Sequence, residues 1–120
     1  IDNGHHFFQM NGPEVYKTAI KVVPKCISEI LSKNKRHVDE VKFLLPHQPS
    51  IKILQEVARR VDMPFEKVKT NMDRYANTSG GTIPIILDET LRKNELEKGD
   101  LLLFAAVGAG WTWGTALYKW

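Results

Sequence analysis

The most constraining feature of this 120-residue chain lies near its end, where Leu101 to Tyr118 carries no charge over eighteen positions. About eighteen apolar residues is the shortest stretch that crosses a bilayer as a helix. Here Gly108, Gly110 and Gly114 interrupt the middle, with Thr112 and Thr115 beside them, and the flanks alternate as strands do. The reading is therefore a buried strand pair, with a membrane tail anchor as the minor alternative. Leu101–Val107 is apolar enough to be buried on both faces, Gly108-Ala109-Gly110 is a tight bend, and Trp111–Trp120 returns as the final strand. The glycines also hint at a dinucleotide loop, but that motif needs a helix after them and an acidic residue about 20 positions on. A strand follows instead, so no nucleotide site is expected.

The rest of the chain alternates between helical and extended patterns. His5 to Met10 reads as a short extended segment closed by the turn-like Asn11-Gly12-Pro13. Adjacent His5 and His6 point opposite ways in an extended chain and have no Cys, Asp or Glu cluster beside them, so no metal site is expected. Glu14 to Asn34 repeats apolar residues at three- and four-residue steps, from Tyr16 through Ala19, Ile20, Val23, Cys26 and Ile27 to Leu31. Cys26 reads as a small core residue of that stripe, and Pro24 should kink or interrupt the helix. Val41–Leu45 is a short buried strand ending at Pro46-His47. Ser50 then caps a second helix with Ile51, Leu54, Ala58 and Val61 inward, and with Lys52–Glu56 and Glu56–Arg60 as i,i+4 pairs outside. Val68–Met72 reads as a weaker strand. Asn77-Thr78-Ser79 opens a third helix with Ile83, Ile86, Leu87 and Leu91 inward.

Composition narrows the class. Net charge is +3, from 17 Lys+Arg against 14 Asp+Glu, which suits an acidic partner or a phosphate-bearing ligand and is too weak to argue for nucleic acid. A single cysteine allows no internal disulfide, in keeping with a reducing, cytoplasmic compartment. The N-terminus lacks a signal-peptide pattern and also an initiator Met, so the chain is expected to begin further upstream.

His47 and Asn77 stand thirty residues apart, each after a strand-like run and before a helical one. In an open α/β sheet such turns gather along one edge of the strands. An imidazole and a primary amide together can hydrogen-bond one developing oxyanion. A lone histidine with no further support would more often be a structural residue.

Four segments supply that support: Met10-Asn-Gly12-Pro-Glu14-Val-Tyr16; Pro46-His47-Gln48; Asp73-Arg-Tyr-Ala-Asn77-Thr-Ser79 with Ile83-Pro84 and Leu87-Asp88-Glu89; and Gly99-Asp100 through Gly108-Ala-Gly110-Trp-Thr-Trp113-Gly114. In this order they resemble the C-terminal half of a β-ketoacyl-acyl-carrier-protein synthase III, a thiolase-fold condensing enzyme, over essentially the whole chain. A His and an Asn without a further Cys or second His match the initiating synthases rather than thiolases or elongating synthases. The resemblance implies an α/β fold, a mixed β-sheet flanked by helices, with residues 1–120 as one C-terminal domain. It also implies that the nucleophilic Cys lies in an absent N-terminal half, and that the first strand of the C-terminal half precedes Ile1 at the centre of the sheet.

The implied reaction is an acyl transfer from coenzyme A to that Cys, then decarboxylation of malonyl-acyl-carrier-protein and attack of the enolate on the acyl thioester, initiating fatty-acid synthesis. By resemblance His47 and Asn77 stabilise the enolate, and His47 does so neutral, with its proton on the nitrogen facing the substrate. The backbone N–H of Ala109 joins the nucleophile's own amide in a second oxyanion hole. Gly12 and Tyr16 correspond to the mouth of the pantetheine channel, Ser50 to a position near it, and Lys52 to a basic residue that docks acyl carrier protein. No permanently bound cofactor and no metal is implied, and the full-length family members form homodimers. The polypeptide as given should be inactive alone for want of the nucleophile. Pro49-Ser50, Ser79-Gly80-Gly81 and Val107 depart from the family pattern, Val107 standing where a Phe is common. These departures leave open a secondary-metabolite or non-decarboxylating acyltransferase, or a non-catalytic thiolase-fold partner subunit.

Overall fold

A computed structural model describes Phe7 and residues 9–120. The expectations for His5 and His6, and most of the extended segment that contains them, lie outside these residues. Among the described residues, four α-helices and three strands follow in the order α1 (Gly12–Lys33), β1 (Val41–Pro46), α2 (Ile51–Arg60), α3 (Met72–Tyr75), α4 (Thr82–Arg92), β2 (Leu101–Gly108) and β3 (Thr112–Lys119), with short 3-10 turns between some of them.

α1 starts two residues earlier than its apolar period, because the Asn11 side chain accepts a hydrogen bond from Glu14 N–H and Pro13 suits the first turn. It runs on to Lys33 without interruption at Pro24, which is itself buried. The loss of one backbone hydrogen bond is outweighed by the packing of Ala19, Val23, Ile27 and Leu31, so the expected break does not occur.

β1 pairs in parallel with β2, and β2 pairs antiparallel with β3 along its whole length. The uncharged C-terminal stretch is thus a strand pair, and no helix of the described residues is long and apolar enough to cross a membrane. α1 and α2 cover one face of the sheet, over Leu44, Leu103 and Ala105. Ile86 and Leu87 of α4 cover the other, over Phe43, Leu45, Leu102 and Phe104. The result is a mixed sheet flanked by helices on both faces. Both edges of β2 are occupied, by β1 and by β3. A strand at the centre of the sheet, as expected for one preceding Ile1, therefore has no place between them, and a further strand can join only at an outer edge.

Three local expectations change. Residues 68–72 form only one bridge, Val68 to Leu44, before α3 begins. The Gln48 side chain takes the place of a strand partner there: its amide donates to Lys69 O at 3.0 Å and accepts from Asn71 N–H at 3.4 Å. On α2, Ile51 is 37% exposed while Ile53 and Val57 are buried, and Ser50 sits at the N-cap without a capping side-chain bond. On α4 the buried residues are Thr82, Ile86 and Thr90, and Leu91 is exposed. Buried threonines fit a helix because their hydroxyls bond backbone carbonyls, Thr90 to Ile86 O at 2.7 Å and Thr82 to Ser79 O at 2.8 Å.

Candidate active site

The ladder between β1 and β2 closes on His47, whose N–H donates to Ala105 O at 2.8 Å. This fixes the histidine at the C-terminal end of two parallel strands, where open α/β sheets place their ligands. An open pocket of about 510 Å³ lies there, lined by His47, by Ser79 and Gly80 from the turn before α4, by Val107 and Gly108 at the end of β2, and by Trp113 of β3. The imidazole is half-buried, and burial pushes its pKa below the ordinary value, opposed by the backbone of Ser79. At neutral pH it is therefore an uncharged ring. Its Nδ1 lies 3.2 Å from Thr82 Oγ1.

Asn77 occupies the exposed start of the same turn, and its Oδ1 accepts from Ser79 N–H at 2.9 Å. That bond sets the amide's orientation, leaving its NH2 group free as a double donor. His47 and Asn77 are thus joined by one short path: Asn77 holds Ser79, the Ser79 carbonyl accepts from Thr82, and Thr82 touches His47. Asn77 itself stands beside the pocket and is not among the residues lining it.

What holds the Asn77 loop is a buried polar network that sequence reasoning missed. Gln48 is fully buried and spans Pro46 O, Lys69 O and Asn71 N–H. Buried Asn71 donates to Glu89 of α4 at 2.9 Å, and Arg74 forks onto the same carboxylate. Between this anchor and Asn77, Ala76 adopts φ 54° and ψ −147°, a region that favours glycine. Ala76→Gly is expected to raise the unfolding free energy by about 1 kcal/mol by relieving that conformation, read as a higher denaturation midpoint. An unchanged or lower midpoint would show that Ala76 is not strained. In the sequence, Gly80, Gly81 and Pro84 make the first turns after Asn77 poor helix, which marks the position of the loop and names none of its partners.

The remaining expected residues are dispersed. Ala109 lies at the exposed bend after β2, its N–H engaged by no described residue. Gly12 opens α1, and a Cβ there would meet no atom within 4 Å. Tyr16 is exposed on α1 near Arg59 of α2. Lys52 is exposed and pairs with no acidic group among the described residues, because Glu56 pairs with Arg59 and Arg60 instead. Those two guanidinium groups hold the Glu56 carboxyl at about 2, so of the two expected pairs only Glu56–Arg60 forms. None of Asn77, Ala109, Gly12, Tyr16, Ser50 and Lys52 lines the pocket. Cys26 does not line it either, and burial, with Glu29 adding to it, pushes its thiol pKa up, the opposite of an activated nucleophile.

A mixed sheet with helices on both faces is the architecture of a thiolase-like fold. Residues 31–120 match the family model described as 3-oxoacyl-[acyl-carrier-protein (ACP)] synthase III C terminal, and the chain belongs to that family. It is 40% identical over 120 residues to the beta-ketoacyl-[acyl-carrier-protein] synthase III of Prochlorococcus marinus (strain MIT 9215), covering all of this chain and 36% of that one. It is 40% identical over 114 residues to the synthase III of Clostridium perfringens (strain SM101 / Type A), covering 95% and 35%. The solved 3-oxoacyl-[acyl-carrier-protein] synthase III from Aquifex aeolicus VF5 superposes with a TM-score of 0.93 at 35% identity, over 95% of this chain and 37% of that one. The enzyme from Pseudomonas aeruginosa PAO1 does so with a TM-score of 0.91 at 31% identity, over 95% and 36%. The chain thus spans little more than a third of the length of these relatives.

Proposed function

We propose that residues 1–120 are the C-terminal domain of an acyltransferase that condenses an acyl group, delivered as a coenzyme A thioester, with malonyl-acyl-carrier-protein at the initiation of fatty-acid synthesis. The observation that carries this reading is the histidine at the end of β1 coupled through Ser79 and Thr82 to an asparagine whose amide donors are free. Loss of carbon dioxide from a malonyl thioester places negative charge on the thioester oxygen. Asn77 Nδ2 and the pocket-facing nitrogen of His47 are the donors for that oxygen, and that nitrogen must carry a proton when it donates. Ala109, at the glycine bend, offers its free N–H to the tetrahedral oxyanion formed when the enolate attacks the acyl thioester.

The acyl group is carried by a cysteine outside residues 1–120, in an N-terminal half that pairs with this one, and the full-length chain forms a homodimer. The free ammonium of Lys52 steers the acidic carrier protein to the rim, with Gly12, Tyr16 and Ser50 on the path of its pantetheine arm. Val107, small and half-buried on the pocket wall, leaves more room there than a Phe would.

The test is carbon dioxide release by the full-length chain given acyl-coenzyme A and malonyl-acyl-carrier-protein. Release in step with ketoacyl product is expected. Acyl transfer without release would instead indicate a non-decarboxylating acyltransferase, and neither reaction would indicate a non-catalytic partner subunit.

A further inference from the structure

Glu89 lies on α4 seven residues after Thr82, which is two turns and about 10 Å along the same side of the helix. Its side chain is 14% exposed, and both carboxylate oxygens are taken by the segment that precedes Asn77. Asn71, at the start of α3, donates to Oε2 at 2.9 Å. Arg74, further along the same turn, donates to Oε1 and, at 3.1 Å, to Oε2. An ionised carboxylate, with two oxygens that only accept, can serve three N–H donors from two side chains in this way. α3 is four residues long and buries none of them. A single helical turn does not hold itself together, so its place beside α4 rests on these side-chain bonds and on Gln48. Ala76 leaves α3 at φ 54° and ψ −147°, and such a conformation persists only where the chain is fixed on both sides of it. Before it stands the Glu89 carboxylate. After it, Asn77 Oδ1 accepts from Ser79 N–H, and the Ser79 carbonyl accepts from Thr82. The Asn77 loop is therefore a ring closed on α4 at two points, Thr82 and Glu89. The start of α4 also carries the contacts to His47, through Thr82 Oγ1 and the Ser79 backbone.

We propose that Glu89, through its fork with Arg74 and its bond from Asn71, is a positioning residue for Asn77. The carboxylate holds the strained turn at Ala76 and so keeps the Asn77 amide at a fixed place relative to His47, both being referred to one rigid helix. The role differs from that of Gln48, which ties the start of α3 to the end of β1. Glu89 ties α3 to the helix that carries the far end of the loop. Losing the carboxylate leaves the Gln48 bonds in place and lets Ala76 relax, which moves Asn77. Only the use of that placement in decarboxylation rests on the condensing-enzyme reading. The clamp itself does not.

The experiment uses Glu89→Gln in the full-length chain, which keeps the shape and leaves one acceptor oxygen for three donors. Hydrogen exchange of the amides of residues 77–81 is read beside carbon dioxide release and single-turnover acylation. Faster exchange in that segment is expected, with release lowered about 10- to 100-fold and acylation near its original rate, since a small misplacement of a positioned group costs that much. Ala76→Gly added to Glu89→Gln removes the strain that the clamp holds and is expected to recover part of the release. Exchange that Glu89→Gln leaves unchanged overturns the proposal. So does unchanged release, an equal loss of release and acylation, or a loss that Ala76→Gly does not reduce. If Glu89→Gln does not fold, Arg74→Met, which removes the fork and keeps the Asn71 bond, is read by the same criteria. Faster exchange in the variant of a chain that releases no carbon dioxide even unaltered would leave the clamp standing and remove the condensation reading alone.

Discussion

Asn77→Ala in the full-length chain is expected to lower carbon dioxide release from malonyl-acyl-carrier-protein about 10²- to 10³-fold, the usual effect of removing one oxyanion donor. Acyl transfer from coenzyme A to the nucleophile should continue near its original rate. The reason is geometric. The Asn77 carbonyl is committed to Ser79 N–H, so the side chain can act on a substrate only through its NH2 group, and only where negative charge develops. His47→Ala should divide the two steps in the same way. The measurement is a pair of assays on one preparation, carbon dioxide release and single-turnover acylation. Equal loss of both steps would remove the assigned roles of the two residues.

Gln48→Ala is expected to lower the unfolding free energy by about 3 kcal/mol, because it strips partners from several buried backbone groups at once. Gln48 is fully buried and, among the described residues, is the side chain that bridges Pro46 O, Lys69 O and Asn71 N–H. Its loss detaches the loop that leads through strained Ala76 to Asn77, so decarboxylation should fall together with stability. Urea unfolding measures the first effect. A change below about 0.5 kcal/mol would mean that these groups find other partners, since that is the range of substitutions away from buried networks.

These two predictions differ in how far the sequence alone reached them. His47 was legible because a proline-punctuated apolar run ending in a polar residue marks the end of a buried strand. Asn77 was legible because Asn-Thr-Ser ahead of an apolar period marks a helix start. The strand pair at residues 101–119 was legible from its glycines and alternation. The network was not, since a glutamine next to a catalytic-looking histidine gives no sign that its amide will stand in for a strand. The same substitution explains why residues 68–72 read as a strand and form only one bridge. Thr82 escaped for a related reason. An apolar period places Ile83 and Leu87 inward, whereas the helix turns Thr82 and Thr90 to the inside by bonding their hydroxyls to carbonyls. Charge pairing was half legible: i,i+4 spacing gave Glu56–Arg60, but Arg59 at i+3 took the place expected of Lys52 and left that lysine free.

On the proposed function, residues 1–120 hold the decarboxylation part of a condensing site whose nucleophile lies elsewhere in the full-length chain. The most direct measurement is peptide mass mapping after brief exposure of that chain to acyl-coenzyme A. One acyl group is expected on a cysteine outside residues 1–120, with Cys26 unmodified. An acyl group on Cys26, lost in Cys26→Ser, would contradict it.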